Sequence, residues 1–345
     1  MKTSDFDYTL PEEFIAQVPL QDRAASKLMV LDRRTGRIVH DRFRNIPSYL
    51  RRGDCLVLNE TKVIPARIWG RKADTGARIE ALLLREVEPL SWEALLRPAK
   101  RARPGAEIIF AGRSSRDELR GRVEADLGEG RKMLKFLGEI DLLPVLKRIG
   151  EAPLPPYIHN PNIGLDRYQT VYAMREGSVA APTAGLHFDE DLIRKISQVG
   201  IRIARIILHI GLDTFRPIKK DSVEEHKIHS EYFEVSREAA EVINITKQEE
   251  GRIVAVGTTT VRALETAAKE DGVVSAQKGH TELYIVPGFK FQIVDAMITN
   301  FHLPRSSLLV MVSAFAGRDK ILRAYEEAKK QGYRFFSFGD AMLIQ

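Results

Sequence analysis

Helices and strands that alternate around a tract of short strands predict an α/β fold: a mostly parallel α/β domain with an inserted small β-barrel. Three observations carry this reading. From Asp189 onward, capped helical segments alternate with apolar strand runs, the pattern of a parallel sheet covered by helices. Between residues 63 and 151, short strand candidates are punctuated by Gly70, Gly76, Gly105, Gly112, Gly128 and Gly130, a spacing that suits a small barrel. The strands before Val63 have no barrel-like continuation, so residues 1–62 and 152–345 form the α/β domain and residues 63–151 the insertion.

The elements follow in order. Leu10-Pro11-Glu12-Glu13 reads as a helix start, with Phe14, Ile15 and Val18 at helical spacing. Lys27–Asp32 and Ile38–His40 are strands joined by the turn at residues 33–37, and Cys55–Asn59 is a buried strand. The barrel strands are Arg67–Arg71, Arg78–Arg85, Trp92–Arg97, Glu107–Phe110, Leu119–Ala125 and Lys132–Phe136. Asp141–Arg148 reads as a helix, and Ala152–Tyr157 (APLPPY) as a proline-rich hinge. Asp189 caps a helix that Gly200 stops, and Ile201–Ile210 is a strand. Ser236 caps the next helix, followed by strand Arg252–Gly257 and a helix opened by Thr258-Thr259-Thr260. Strands Leu283–Val286 and Gln292–Ile298, helices from Ser306 and near Tyr325, and strand Phe335–Phe338 complete the chain.

Composition narrows the function classes. The 345 residues are 44% hydrophobic and 29% charged, enough for a large core beneath a solvated surface. No apolar run approaches the roughly 20 residues that span a bilayer, and the polar, acidic start is no secretory signal. The one cysteine, Cys55, excludes an internal disulfide and a cysteine metal cage; it sits in an apolar run as a buried thiol. A cytoplasmic protein is expected, and a monomer, since nothing resembles an obligate dimer helix.

The net charge of +6 is concentrated. Val63 to Gly150 holds 18 Lys and Arg against 13 Asp and Glu, and the remainder holds 35 against 34. A local surplus fits docking to a polyanion, though an ordinary solvated surface is the alternative. Lys100, Arg101 and Arg103 mark its most basic loop.

Three stretches carry polar residues that packing does not require: Ser178–Phe188, His226–Glu231 and Thr299–Pro304. Together with His209, they hold five of the eight histidines: His187, His209, His226, His229 and His302. An active site assembled from the C-terminal half is expected. His226 and His229, three residues apart, read either as a metal pair or as acid/base groups. Glu231 beside His229 reads as the orienting carboxylate of a general base. Asn300 and His302 share one face, with Phe301 on the other. Gly257-Thr258-Thr259-Thr260-Val261-Arg262 is a strand-to-helix turn that either binds an anion or merely caps its helix. No G-x-G-x-x-G fingerprint is present. Arg167–Tyr172 offers a guanidinium, a phenol and an amide suited to a nucleobase, or to an ordinary helix surface.

In order along the chain, these blocks are Leu58–Arg67 (LNETKVIPAR) after Gly53-Asp54, Arg167–Tyr172 (RYQTVY), Ala180–Phe188 (AAPTAGLHF) and Thr299–Pro304 (TNFHLP). Together they resemble the S-adenosylmethionine:tRNA ribosyltransferase-isomerase family of queuosine biosynthesis. Lys27, Leu212-Asp213 and Ile228 depart from the family's usual residues. The resemblance implies ribosyl transfer from S-adenosylmethionine to 7-aminomethyl-7-deazaguanine at the tRNA wobble position. The products would be epoxyqueuosine-tRNA, adenine and methionine. S-adenosylmethionine would be consumed as a substrate, with no further cofactor and no metal. In those terms His229 with Glu231 is the expected base, and His187 or His302 the proton donor to adenine. Asn300 and Thr183 would orient the nucleoside, while Arg262 with Thr258 and Thr259 would hold the methionine carboxylate. Lys100, Arg101 and Arg103 would meet tRNA phosphates. The competing readings are a metal-dependent hydrolase and a non-catalytic RNA-binding module.

Overall fold

The computed structural model describes residues 1–112, 118–160, 163–211 and 217–345. Leu212-Asp213, one of the departures noted above, therefore lies outside the described residues. The strands are β1 (Lys27–Leu31), β2 (Ile38–Arg42), β3 (Cys55–Asn59), β4 (Thr61–Val63), β5 (Arg67–Lys72), β6 (Arg78–Glu88), β7 (Ser91–Arg97), β8 (Glu107–Ala111), β9 (Glu118–Gly128) and β10 (Arg131–Phe136). They continue as β11 (Arg175–Ser178), β12 (Arg202–Leu208), β13 (Glu231–Val235), β14 (Ile253–Val256), β15 (Gln277–Thr281), β16 (Ala296–Asn300) and β17 (Ala341–Ile344). The helices are α1 (Leu142–Ile149), α2 (Glu190–Gln198), α3 (Arg237–Gln248), α4 (Thr258–Ala267), α5 (Ser307–Ala316) and α6 (Arg318–Lys330).

Among the described residues, nine strands form one sheet in the order β15-β13-β12-β3-β14-β16-β17-β1-β2. Its block β12-β3-β14-β16 is parallel, as the alternation of strand and helix predicts. The register turns antiparallel where β13 and β15 extend one edge, where β17 meets β16 and where β2 closes the other edge. Every residue of β3, β14, β16 and β17 is buried, because helices and loops cover both faces. Asp54, at the start of β3, accepts from the backbone N–H groups of Arg51 and Arg252 and pairs with the Arg252 guanidinium at 2.7 Å. Gly53-Asp54 thus stitches β3 to β14. Asp189 and Ser236 cap α2 and α3 as their side-chain chemistry predicts.

β5 to β10 form a closed antiparallel barrel, each strand within a few residues of its predicted bounds. β4, before the barrel, pairs in parallel with β11, after it. The barrel interior (Ile68, Phe110, Val123, Leu134) and one face of the sheet (Val57, Ala255, Met297) belong to one apolar cluster.

Several elements differ from expectation, each for a local reason. The segment from Leu10 makes only a turn of 3₁₀-helix, Glu12–Phe14, because Phe14 and Ala16 pair their backbones with Phe335. The strand expected at Gln292 starts at Ala296, since the N–H groups of Gln292, Ile293 and Val294 donate to the Glu265 carboxylate. Phe335–Phe338 is a loop, not a strand: Asp340 accepts from the N–H groups of Lys27 and Arg334 and folds the aromatic run back. The strand that follows is Ala341–Ile344. Leu283–Val286 is irregular, and the edge strand lies instead at the polar run Gln277–Thr281. The proline-rich segment is no free hinge, because Pro153, Leu154 and Pro155 are buried and the Tyr157 hydroxyl meets the Ser337 hydroxyl at 2.7 Å.

Candidate active site

The loops after β3, β12, β14 and β16 gather at the C-terminal edge of the parallel block, where open α/β sheets present ligand sites. There the polar stretches converge on two adjoining hollows. The first is lined by Thr183, Thr258, Thr259, Asn300 and His302, with Tyr157, Phe301 and Phe336 as aromatic walls. The second is lined by His226, His229, Glu231, Arg262, Tyr284 and Ser307. Thr258, Thr259 and Leu308 belong to both.

The N-termini of α4 and α5 frame this junction. The N-cap of α4 is Gly257 at φ 92°, in the region that favours glycine, and no side chain caps the helix. Thr260 hydrogen-bonds the Val256 carbonyl instead of capping. The capping alternative is therefore set aside: among the described residues no side chain caps α4, and its first-turn residues Thr258 and Thr259 line the shared wall. α5 enters the same wall one residue after its cap, Ser306, as Ser307 and Leu308. Two converging helix N-termini make the wall electropositive.

Asn300 is held rigidly. Its Oδ1 accepts from the Thr183 hydroxyl at 2.9 Å, and its Nδ2 donates to His187 Nε2 at 3.2 Å. His187 Nδ1 in turn donates to the Ser26 hydroxyl at 2.8 Å, and that hydroxyl donates to the Arg23 carbonyl. Burial, with Arg334 and Arg23 nearby, depresses the His187 pKa to about 4, so the ring is neutral. His187 borders a different depression, with Ser26, Arg23 and Arg334. His187, one of the two expected proton donors, thus lies behind Asn300 and outside the lining of the first hollow. Gly185 permits this turn, since a Cβ there would sit 2.0 Å from the Tyr172 hydroxyl oxygen.

His302 does face the first hollow. Its backbone N–H donates to the Tyr325 hydroxyl at 3.0 Å, which in turn faces Nδ1 at 3.3 Å, while Nε2 meets Thr299 Oγ1 at 3.1 Å. Burial depresses its pKa to about 3, so any proton it gives comes from the neutral ring.

Glu231 and Arg262 form a buried ion pair. Glu231 also accepts from the Gly211 N–H at 2.8 Å, and the guanidinium donates to the carbonyls of Leu283 and Thr281. Arg262 is engaged through all three nitrogens, and it lines the second hollow beside Thr258 and Thr259. His229 is exposed and lies where the second hollow opens into a larger cleft. The segment from His226 to Ser230 is irregular, so its histidines do not form a helical pair. Among the described residues no three His, Cys, Asp or Glu side chains are grouped to share an ion.

The cleft holds about 530 Å³ between barrel and sheet. Arg85, Trp92, Glu93 and Arg131 come from the barrel, and His209, His229, Tyr232 and His280 from the sheet edge. His209 stacks on Tyr232 with centroids 5.5 Å apart, and Tyr232 meets His280 edge-on at 5.8 Å. Arg85 and Arg131 share Glu93, at 3.4 and 2.9 Å. Lys100, Arg101 and Arg103 are exposed, and among the described residues they join no ion pair. Ala99 packs beside Gly130, next to Arg131, so this loop borders the cleft wall.

Arg167–Tyr172 is packed into the fold and is not a helix surface. Tyr168 is fully buried, Gln169 pairs both ways with the Val63 backbone, and Arg167 donates to the Leu20 carbonyl. Sequence reasoning missed Ser26, Tyr284, Ser307 and Tyr325, of which only Ser307, at a helix start, carried a readable signal. No helix among the described residues is long and apolar enough to cross a membrane.

The family model described as queuosine biosynthesis protein matches residues 3–344. A Thermoanaerobacter sp. (strain X514) protein named S-adenosylmethionine:tRNA ribosyltransferase-isomerase is 53% identical, with 100% of both chains covered. A protein of the same name from Acetivibrio thermocellus is 51% identical over 100% of both chains. The crystal structure of the S-adenosylmethionine tRNA ribosyltransferase from Thermotoga maritima is 40% identical and superposes with a TM-score of 0.56, covering 99% of this chain and 100% of that one.

Proposed function

Because the chain belongs to the queuosine biosynthesis protein family, we propose that it is a cytoplasmic S-adenosylmethionine:tRNA ribosyltransferase-isomerase. It moves the ribosyl part of S-adenosylmethionine onto the aminomethyl nitrogen of 7-aminomethyl-7-deazaguanine in the tRNA wobble position. Adenine and methionine leave, and epoxyqueuosine-tRNA is the product. The observation that carries this reading is the contiguity of two hollows and the cleft, joined through Thr258, Thr259, Glu231 and His229.

In this reading the first hollow, about 40 Å³ in the free protein, widens to take the nucleoside between aromatic walls and the fixed amide of Asn300 and hydroxyl of Thr183. The second, about 20 Å³, widens to take the methionine part against the electropositive ends of α4 and α5 at Thr258, Thr259 and Ser307. The sulfonium and its neighbouring carbon then fall between the two hollows, on the side of Glu231 and His229. His229, at the opening, takes the proton beside the sulfonium and faces the incoming tRNA base from the cleft. Glu231 acts from behind, its charge balanced by Arg262. His302 steadies the departing adenine with a hydrogen bond from its neutral ring while water supplies the proton, and Thr299 and Tyr325 hold that ring.

The modified base enters the cleft between barrel and sheet, whose volume suits one extruded nucleotide. The exposed cations Lys100, Arg101 and Arg103 at its border meet phosphates. The test is incubation of the protein with S-adenosylmethionine and tRNA bearing the aminomethyl base. Released adenine and a tRNA heavier by the ribosyl fragment are the expected outcome. Adenine release that does not depend on the modified tRNA would overturn the assignment.

A further inference from the structure

The phenol oxygen of Tyr284 is buried and has no hydrogen-bond partner among the described residues, and the residue lines the second hollow beside His226, His229 and Ser307. Its ring is fixed edge-on to His226, with centroids 5.6 Å apart. A buried hydroxyl left unpaired costs stability, and this one lines a hollow from which an arriving acceptor can satisfy it. Resting on the reading above, we propose that Tyr284 donates its phenolic hydrogen to the carboxylate of the methionine part of S-adenosylmethionine.

The surroundings specify an anion. The hollow is lined by donors: the hydroxyls of Tyr284 and Ser307, and the N-terminal turns of α4 and α5. Its own carboxylate, Glu231, is balanced by Arg262. Arg262 in turn has its charge neutralised by Glu231 and donates to two carbonyls, so the substrate carboxylate draws mainly on the other donors. Burial and the nearby Glu224 push the Tyr284 pKa up to about 12, which keeps the phenol a donor throughout the physiological range.

Tyr284→Phe tests this, because it removes only the unpaired oxygen. KM for S-adenosylmethionine should rise about 10- to 100-fold, the loss expected for a hydrogen bond to a charged group. With the decarboxylated analogue of S-adenosylmethionine, wild type and Tyr284→Phe should bind equally, as measured by calorimetry. The melting temperature of the free variant should hold or rise, since no hydrogen bond of the free protein is lost. An equal loss with both ligands, or an unchanged KM, overturns the assignment; so does a lower melting temperature with unchanged binding. Failure of the parent reading looks different: the wild type itself would then neither bind S-adenosylmethionine nor release adenine.

Discussion

Replacing His187 separates positioning from proton donation. In His187→Leu, Asn300 Nδ2 loses its acceptor and the Ser26 hydroxyl loses its donor, both in buried surroundings. Each orphaned group costs about 1–3 kcal/mol, so unfolding free energy should fall by roughly 2–5 kcal/mol. A freed Asn300 amide weakens its hold on the nucleoside by about one neutral hydrogen bond, a three- to tenfold rise in KM for S-adenosylmethionine. Loss of a general acid would instead cut kcat by about 10²- to 10⁴-fold. His187→Gln offers a carbonyl oxygen to Asn300 and should recover most of both losses. The assay is steady-state adenine release with S-adenosylmethionine varied, beside denaturant unfolding of the same variants. A kcat at least a hundredfold lower in both variants at unchanged KM would refute the positioning role.

Further expectations follow from the same geometry. His187 and His302 are neutral in the fold with pKa values depressed to about 4 and about 3, against an ordinary 6.5, so their contribution to stability is complete above pH 6.5. It fades as pH falls towards 4, by about 3 kcal/mol for His187 alone; denaturant unfolding between pH 8 and 4 that stays flat would contradict this. Gly257→Ala places a Cβ at φ 92°, costing about 1–2 kcal/mol and displacing the first turn of α4. KM for S-adenosylmethionine should rise, and an unchanged KM would separate this helix end from the substrate. Converting Lys100, Arg101 and Arg103 to glutamine should reduce the slope of log affinity for tRNA against log salt by about 2–3, while leaving S-adenosylmethionine binding intact. An unchanged slope would assign the phosphates elsewhere.

How much was legible depends on what each segment's local chemistry had to satisfy. The barrel strands were readable because alternating burial and glycine-marked turns are local signals, as in β9, where Leu119, Gly121 and Val123 face inward. Asp189 and Ser236 announced their helices for the same reason. Elements set by distant partners were not readable. Glu265 delays β16 by capturing three N–H groups, and Asp340 converts an aromatic run into a loop. At the site, Asn300, His302, Thr183, Thr258 and Thr259 line one hollow, and each stands out in a stretch without a packing period. Arg262 and His187 were singled out by chemistry alone, and only the fold reveals that one is consumed by Glu231 and the other stands behind an amide. Tyr284 was invisible because an aromatic in an apolar run reads as core. Its orphaned oxygen exists only in three dimensions.

Doubly labelled S-adenosylmethionine, with one isotope in the ribose carbons and another in the methyl group, distinguishes ribosyl transfer from methyl transfer in one experiment. Ribose label should enter the tRNA at the modified base, and methyl label should leave with free methionine. Methyl label recovered in the tRNA, with adenine still attached to its sugar, would contradict the account.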